Sequence, residues 1–102
     1  MYYVEYEGGV KKFIDLVQIS TKAKLTRAVR LMIEYGPDLG MPLSRKIDSQ
    51  LYELRIRGTQ EVRIFYTYFK KTIVMLHGFV KKTQKIPRRE LEKAHKHLVE
   101  YK

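Results

Sequence analysis

Ten cations, Arg55, Arg57, Arg63, Lys70, Lys71, Lys81, Lys82, Lys85, Arg88 and Arg89, fall between positions 55 and 89 against one acid, Glu61. Nine of the ten net positive charges of this 102-residue chain therefore lie in one third of its length. Charge that served only to keep a protein in solution would be spread over the surface, whereas a concentrated excess makes a field that draws polyanions. Nucleic acid or an acidic protein surface is the implied partner. Two groups stand out within the stretch. If Gly58-Thr59-Gln60 forms a three-residue loop between two strands, Arg57 faces Glu61, Arg55 faces Arg63 and Leu54 faces Ile64. A slip of one residue would set Arg63 against Ile56 and mix the polar and apolar faces. Like charges opposed in a sheet repel. An anion held between the two guanidinium groups removes that repulsion; so does pairing with carboxylates or splaying into water. The second group is Lys81-Lys82-Thr83-Gln84-Lys85-Ile86-Pro87-Arg88-Arg89, with five cations and no acid. It leads into the start of a helix, where free N–H groups and the helix dipole attract anions, so the segment suits phosphate.

Other side chains offer less. Tyr52, Phe65, Tyr66, Tyr68 and Phe79 present planar surfaces on which unstacked bases could rest, or fill a core. His77, inside an apolar segment, is a candidate general acid or base, or a hydrogen-bonded packing residue. His95 and His97 stand two apart on a helical pattern and point to different sides, so no metal site is expected of them. Glu53 and Glu61 sit singly among cations and are expected to balance charge. With no cysteine, the sequence has no thiolate ligand, thiol nucleophile or disulfide. It contains neither a GxGxxG turn nor a P-loop, and no cofactor is expected.

These side chains need elements to position them. Tyr2 to Glu7 reads as a short strand broken by Gly8-Gly9. Val10, Phe13, Ile14 and Val17 have helical spacing, giving a helix that ends near Ile19. Ser20 or Thr21 is expected to cap a second helix, with Leu25, Ala28, Val29, Met32 and Tyr35 on one stripe and Gly36-Pro37 as its stop. Pro37 to Asp48 reads as a loop. From Leu51 the period changes to two. Leu51 to Arg57, Val62 to Phe69 and Thr72 to Val80 are expected to form an antiparallel meander. Thr83 to Lys102 holds Pro87 at a helix start and spaces Leu91, Ala94, Leu98 and Tyr101 along one side.

The expected architecture is α+β, in the order β-α-α-β-β-β-α. A helical hairpin and a C-terminal helix pack on one face of a twisted antiparallel sheet, leaving the other face at least partly open. Length and composition, 44% hydrophobic and 31% charged, suggest a single domain spanning 1–102. The longest aliphatic run is Ile73 to Leu76 and the N-terminus lacks a leader-like pattern, so the expectation is a cytoplasmic protein without a membrane span.

The segments Leu51-Tyr52-Glu53-Leu54-Arg55, Val62-Arg63-Ile64-Phe65-Tyr66 and Leu76-His77-Gly78-Phe79-Val80-Lys81-Lys82-Thr83-Gln84-Lys85-Ile86-Pro87, followed by a Glu-rich amphipathic helix, resemble the phage-derived HigB-like branch of the RelE/ParE toxin superfamily. The resemblance covers nearly the whole chain. It implies a toxin of a type II toxin–antitoxin pair: a ribosome-dependent mRNA endoribonuclease, neutralised by a helix-turn-helix, HigA-like antitoxin. The implied mechanism is metal-independent attack of a ribose 2′-OH on the adjacent phosphate. Arg63 matches the family's sheet arginine, Arg55 a basic residue on the preceding strand, and Lys81 with Lys82 the basic pair ending the last strand. On this reading Arg55, Arg63, Lys81 and Lys82 stabilise the reacting phosphate, and His77 or a lysine of lowered pKa is the candidate for moving the proton. Arg57, Lys85, Arg88 and Arg89 hold the RNA backbone. Where RelE has a tyrosine after the basic pair, this chain has Ile86, Pro87 and Arg88. Two other functions fit the same charge pattern: ParE-like inhibition of DNA gyrase, and non-enzymatic binding of nucleic acid.

Overall fold

The computed structural model describes residues 1–101. The elements are β1 (Tyr3–Tyr6), α1 (Val10–Leu16), α2 (Ile19–Tyr35), a 3-10 turn (Gly36–Asp38), β2 (Ser44–Lys46), β3 (Tyr52–Ile56), β4 (Val62–Phe69), β5 (Thr72–Val80) and α3 (Arg88–Tyr101). They form one five-stranded sheet in the order β1-β5-β4-β3-β2. The α+β class and the β3-β4-β5 meander are as the sequence pattern implies, with Arg55 opposite Arg63 and Leu54 opposite Ile64.

Four features differ from that pattern. The sheet is mixed rather than purely antiparallel, because β1 runs parallel to β5 after the helical hairpin carries the chain back across the sheet. Part of the expected loop is strand β2, which pairs antiparallel with β3, Ser44 opposite Leu54 and Lys46 opposite Tyr52. Three residues are too few to show a period. What closes this hairpin is Asp48, whose Oδ1 accepts the N–H of Gln50 and of Leu51, each at 2.9 Å. Those two bonds and the charges of His95 and Lys46 outweigh burial, which works the other way, and hold the Asp48 pKa below its ordinary value. In the helical hairpin, α1 stops at Leu16 and α2 begins at Ile19, with Gln18 rather than Ser20 or Thr21 before its first turn. Thr21 is instead a buried member of the α2 stripe, while Tyr35 at its end is half exposed.

The fourth difference matters most for the site: helices cover both faces of the sheet. On one face α1 and α2 bury Val10, Leu25, Ala28 and Met32 against Leu54, Ile56, Val62, Ile64, Tyr66, Ile73 and Met75. On the other, Ala94 and Leu98 of α3 pack on Phe65, Val74, Leu76 and Phe79 with Leu51. Each large aliphatic or aromatic side chain buried in this way contributes about 1.5–3 kcal/mol. The near-continuous apolar run in β5, buried on both sides, is the sequence signature of this arrangement. Alternation along β4 is weak for the same reason: Phe65 serves the α3 face while Ile64 and Tyr66 serve the other.

Two glycines have steric causes. Gly36 ends α2 at φ +54°, a region costly for residues with a Cβ, and its N–H is donated to the Met32 carbonyl. Gly78 lies beneath Phe13 of α1, whose ring would stand 2.7 Å from any added Cβ. At the C-terminal helix, Pro87 sits just before α3, its carbonyl accepting the N–H groups of Glu90 (3.0 Å) and Leu91 (3.4 Å). The expected helical segment began at Thr83, but residues 83–87 form a non-helical approach; its other limit, Lys102, lies outside the described residues.

Candidate phosphate-binding groove

The α3 face of the sheet is apolar beneath the helix and ionic beyond it. Along that face, Arg45 on β2 stands opposite Glu53 on β3, and Arg55, two residues further along β3, stands opposite Arg63 on β4. Glu53 is 1% exposed and Arg63 only 2%. The Glu53 carboxylate lies 3.3 Å from Arg45, 3.7 Å from Arg55 Nε and 4.0 Å from Arg63 Nε. None of these contacts has hydrogen-bond geometry: both Glu53 oxygens and the Nε atoms of Arg55 and Arg63 lack such a partner. The opposed arginines are thus held together by a resident carboxylate, in an ionic cluster rather than on a solvated surface.

Arg63 is fixed further by its own neighbours. It donates from one terminal nitrogen to the Val62 carbonyl at 3.0 Å and from the other to Glu61 Oε1 at 3.0 Å. The second Glu61 oxygen accepts the N–H of Gly58 at 3.2 Å, closing the β3–β4 turn. Burial alone would raise the Glu61 pKa, but the hydrogen bonds from Arg63 and Gly58 and the charges of Arg63 and Arg57 hold it below its ordinary value. Arg55 is pushed the opposite way from a salt-bridged arginine. Burial, then the positive charges of Arg57 and Arg63, lower its pKa, and Glu53 offsets only part of this. A guanidinium starts so high that it stays charged at neutral pH, so an incoming anion meets a charge held under repulsion.

After β5 the chain turns across this ionic surface. The Lys81 N–H is donated to the Glu61 carbonyl at 2.6 Å, anchoring the basic segment against the β3–β4 turn. Two adjoining hollows result. One, about 480 Å³, is lined by Arg57, Glu61, Arg63, Lys81, Lys82, Thr83 and Gln84. The other, about 430 Å³, is lined by Arg45, Arg55, Arg57, Lys81, Gln84, Lys85 and Ile86. They share Arg57, Lys81 and Gln84 and together form one groove walled by seven cations from β2, β3, β4, the β3–β4 turn and the segment after β5. Glu61 is the one acid on its surface among the described residues. Such a groove can bind one or two phosphates and stabilise charge that grows on them.

Of the side chains singled out in the sequence, Arg55, Arg57, Arg63, Lys81, Lys82 and Lys85 line the groove. Arg88 and Arg89 do not; they are exposed on the first turn of α3, where Arg89 Nε is 3.4 Å from Glu90. His77 also lies outside the lining. Its Nε2 is 2.6 Å from Glu90 Oε1, and its ring stacks on Phe79 with centroids 6.0 Å apart. Burial opposes ionisation of Glu90, but bonding to His77, the charge of His77 and a bond from Arg89 outweigh it and lower the Glu90 pKa. The aromatic rings are core: Phe65, Tyr66 and Phe79 are buried, and Tyr52 stacks on Tyr66 at 5.4 Å. Tyr66 also shares a hydrogen bond with Ser44. Arg45 and Gln84 enter the lining unannounced. Arg45 was hidden because its strand reads as loop; the alternation Ser44-Arg45-Lys46 facing Leu54-Glu53-Tyr52 becomes visible only once pairing is known.

The family described as phage derived protein Gp49-like matches residues 12–99, which include every residue of the groove. The chain belongs to this family. As a Gp49-like protein it also shares its fold with a double arginine-to-alanine mutant of the Escherichia coli toxin RelE in the free state. The TM-score is 0.65, with 98% of this chain and 96% of that chain covered at 13% identity. A comparison with curated proteins gives no match. The resemblance drawn from the ELR, VRIFY and LHGFVKKTQK segments is met by the match to a phage-derived family and, at the level of fold, by the likeness to RelE. Within this Gp49-like chain no helix is long and apolar enough to cross a membrane, among the described residues.

Proposed function

We propose that this protein is the toxin of a toxin–antitoxin pair and acts as an mRNA endoribonuclease on translating ribosomes. The observation that carries the reading is the groove: seven cations from separate stretches of the chain line two adjoining hollows, among them a buried arginine that is bonded to Glu61 and the Val62 carbonyl and lies 4.0 Å from Glu53. Family membership and the RelE fold support the toxin role.

In the proposed reaction a ribose 2′-oxygen attacks the adjacent phosphorus. The bond from phosphorus to the 5′-oxygen of the next nucleotide breaks, and the proton that the 2′-hydroxyl gives up to water is matched by one that the departing 5′-oxygen takes from water, leaving a 2′,3′-cyclic phosphate and a 5′-hydroxyl. The pentacoordinate transition state carries more negative charge than the diester, and donors already aimed at it are worth about 3–4 kcal/mol each in a protected site. Arg63, held rigid, and Arg55 stabilise the equatorial oxygens. Lys81 and Lys82, from the segment after β5, meet the leaving side, and Arg57, Lys85 and Arg45 hold the flanking backbone. His77, bound to Glu90, is not assigned the proton transfer. The groove provides charge stabilisation and a confined site, and the ribosome is expected to present the message already bent toward in-line geometry. A HigA-like helix-turn-helix antitoxin is the proposed neutralising partner.

The test is induction of the chain in a bacterial host followed by mapping of transcript 5′ ends. Wild type is expected to arrest growth and create new ends inside coding regions. Arg63→Ala and the double change Lys81→Ala/Lys82→Ala, outside the core, are expected to do neither at equal expression. Growth arrest with intact messages and DNA damage would mean a gyrase poison instead. Cleavage that survives both variants would mean that the groove is not the site.

A further inference from the structure

Beside the basic groove lies a third hollow, of about 400 Å³, between α2, the loop before β2, and β3. Its walls are apolar, formed by Ala28, Leu31, Pro42, Leu43 and Ile56. Lys24 and Arg27 of α2 stand on its rim, and no acidic side chain lines it. Arg55 and Arg57 belong to this hollow and to the groove alike, so the two spaces meet at those side chains. The junction is braced: Lys24 Nζ donates to the Arg57 carbonyl at 2.8 Å, and an Arg55 terminal nitrogen lies 3.8 Å from Met41 Sδ.

The juxtaposition fits a nucleotide better than either space fits a ligand alone. In RNA only a ribose separates a phosphate from its base, so a strand whose phosphate meets Arg55 or Arg57 carries a base within reach of the neighbouring hollow. A base needs apolar surface against its faces and a few donors at its edge, and guanidinium planes stack on it. The groove offers charge but no flat aromatic surface, because no aromatic ring lines it and Phe65, Tyr66 and Phe79 are buried in the core. The third hollow offers apolar surface, with donors on its rim.

We propose that this hollow is a nucleobase subsite, which takes one unstacked base of the RNA strand bound in the groove. Leu31 and Leu43 form its walls and Arg27 reads the base edge. This rests on the RNA-cleaving reading, but it concerns binding and is tested without cleavage. An acidic amphipathic peptide would also meet cations and apolar walls here. The continuity with a phosphate-sized groove through Arg55 and Arg57 favours the nucleotide.

The experiment titrates the isotope-labelled full chain with the four nucleoside 3′-monophosphates and, separately, with ribose 5-phosphate, following methyl and amide resonances. At least one nucleotide is expected to bind about tenfold more tightly than ribose 5-phosphate. The Leu31 and Leu43 methyls are expected to respond to nucleotides alone. Leu31→Trp, which fills the hollow, should abolish the difference between nucleotide and ribose 5-phosphate while ribose 5-phosphate still binds. Arg27→Glu, an exposed change that spares the core, should weaken nucleotide binding more than ribose 5-phosphate binding, and it serves if the tryptophan variant misfolds. Equal affinity for all probes with silent Leu31 methyls would overturn the subsite and leave the groove standing. No response to any probe would overturn both. Leu31 responding to an acidic peptide and not to nucleotides would assign the hollow to a protein partner and overturn the proposal.

Discussion

Glu53→Gln removes one charge from the centre of the ionic cluster and almost no volume. In the wild type the Glu53 carboxylate, 1% exposed, lies within 4.0 Å of three guanidinium groups, two of which face each other across the β3–β4 ladder. Breaking a buried ion pair by removing one partner costs about 3–5 kcal/mol, since the opposite charges stay behind uncompensated. Arg45 is 47% exposed and retains most of its hydration, which places the expected loss at the lower limit, about 3 kcal/mol. For a domain of this size that corresponds to a fall in Tm of about 12–24 °C. The groove adds a second expectation. With the resident carboxylate neutralised, Arg55 and Arg63 repel more strongly, and an external anion relieves more strain than it does in the wild type. Thermal unfolding followed by circular dichroism, at neutral pH and constant ionic strength with increasing phosphate, reads both effects. Phosphate should raise the Tm of Glu53→Gln more than that of the wild type. A fall of less than about 5 °C, with equal phosphate responses, would refute the claim that Glu53 holds the arginines together.

Three further outcomes are expected. Glu61→Gln removes the carboxylate that occupies Arg63 inside the groove, so single-stranded RNA should bind more tightly; fluorescence anisotropy showing weaker binding would contradict this. The Glu90 pKa is lowered in the folded state, so the His77 contact adds stability above the ordinary value of 4.5 that is lost as pH falls through the folded value. In thermal melts across that acid range, Glu90→Gln should therefore be flatter than the wild type, and parallel curves would refute the contribution. Gly78→Ala should cost about 1–3 kcal/mol by denaturant titration, because its methyl meets the Phe13 ring, whereas Phe13→Ala in the same background should reduce that penalty.

The parts of the molecule legible from sequence were those in which one residue type repeats at one period. The three strands of the β3–β4–β5 meander followed from alternation, and the β3–β4 register with the opposition of Arg55 to Arg63 from a three-residue turn, because a slip would have mixed the faces; the irregularity between Phe65 and Tyr66 in the β4–β5 pairing had no sequence signal. Six groove cations were legible as a charge concentration, since they come from the strands and connections of that meander. What failed needed tertiary information. Strand β2 is too short to show a period, so Arg45 was missed. Parallel pairing of β1 depends on where the helical hairpin delivers the chain. Helix α3 could pack on either face, and its apolar stripe does not say that it covers Phe65, Val74, Leu76 and Phe79 on the face opposite α1 and α2. His77 carries the same sequence signal whether it lines the groove or packs beside α3, and only the fold shows that it lies outside the groove lining with Glu90 as its partner. The third hollow is made of residues far apart along the chain and had no sequence signal.

The chemistry of the cut ends tests the central claim most directly. Purified protein should be mixed with ribosomes programmed with a defined message, and the termini of the fragments analysed by mass spectrometry. Cations gathered around a scissile diester, with the neighbouring 2′-oxygen as nucleophile, predict 2′,3′-cyclic phosphate and 5′-hydroxyl ends that disappear in Arg63→Ala. Fragments ending in 5′-phosphate and 3′-hydroxyl, or an intact message alongside an active wild-type toxin, would contradict it.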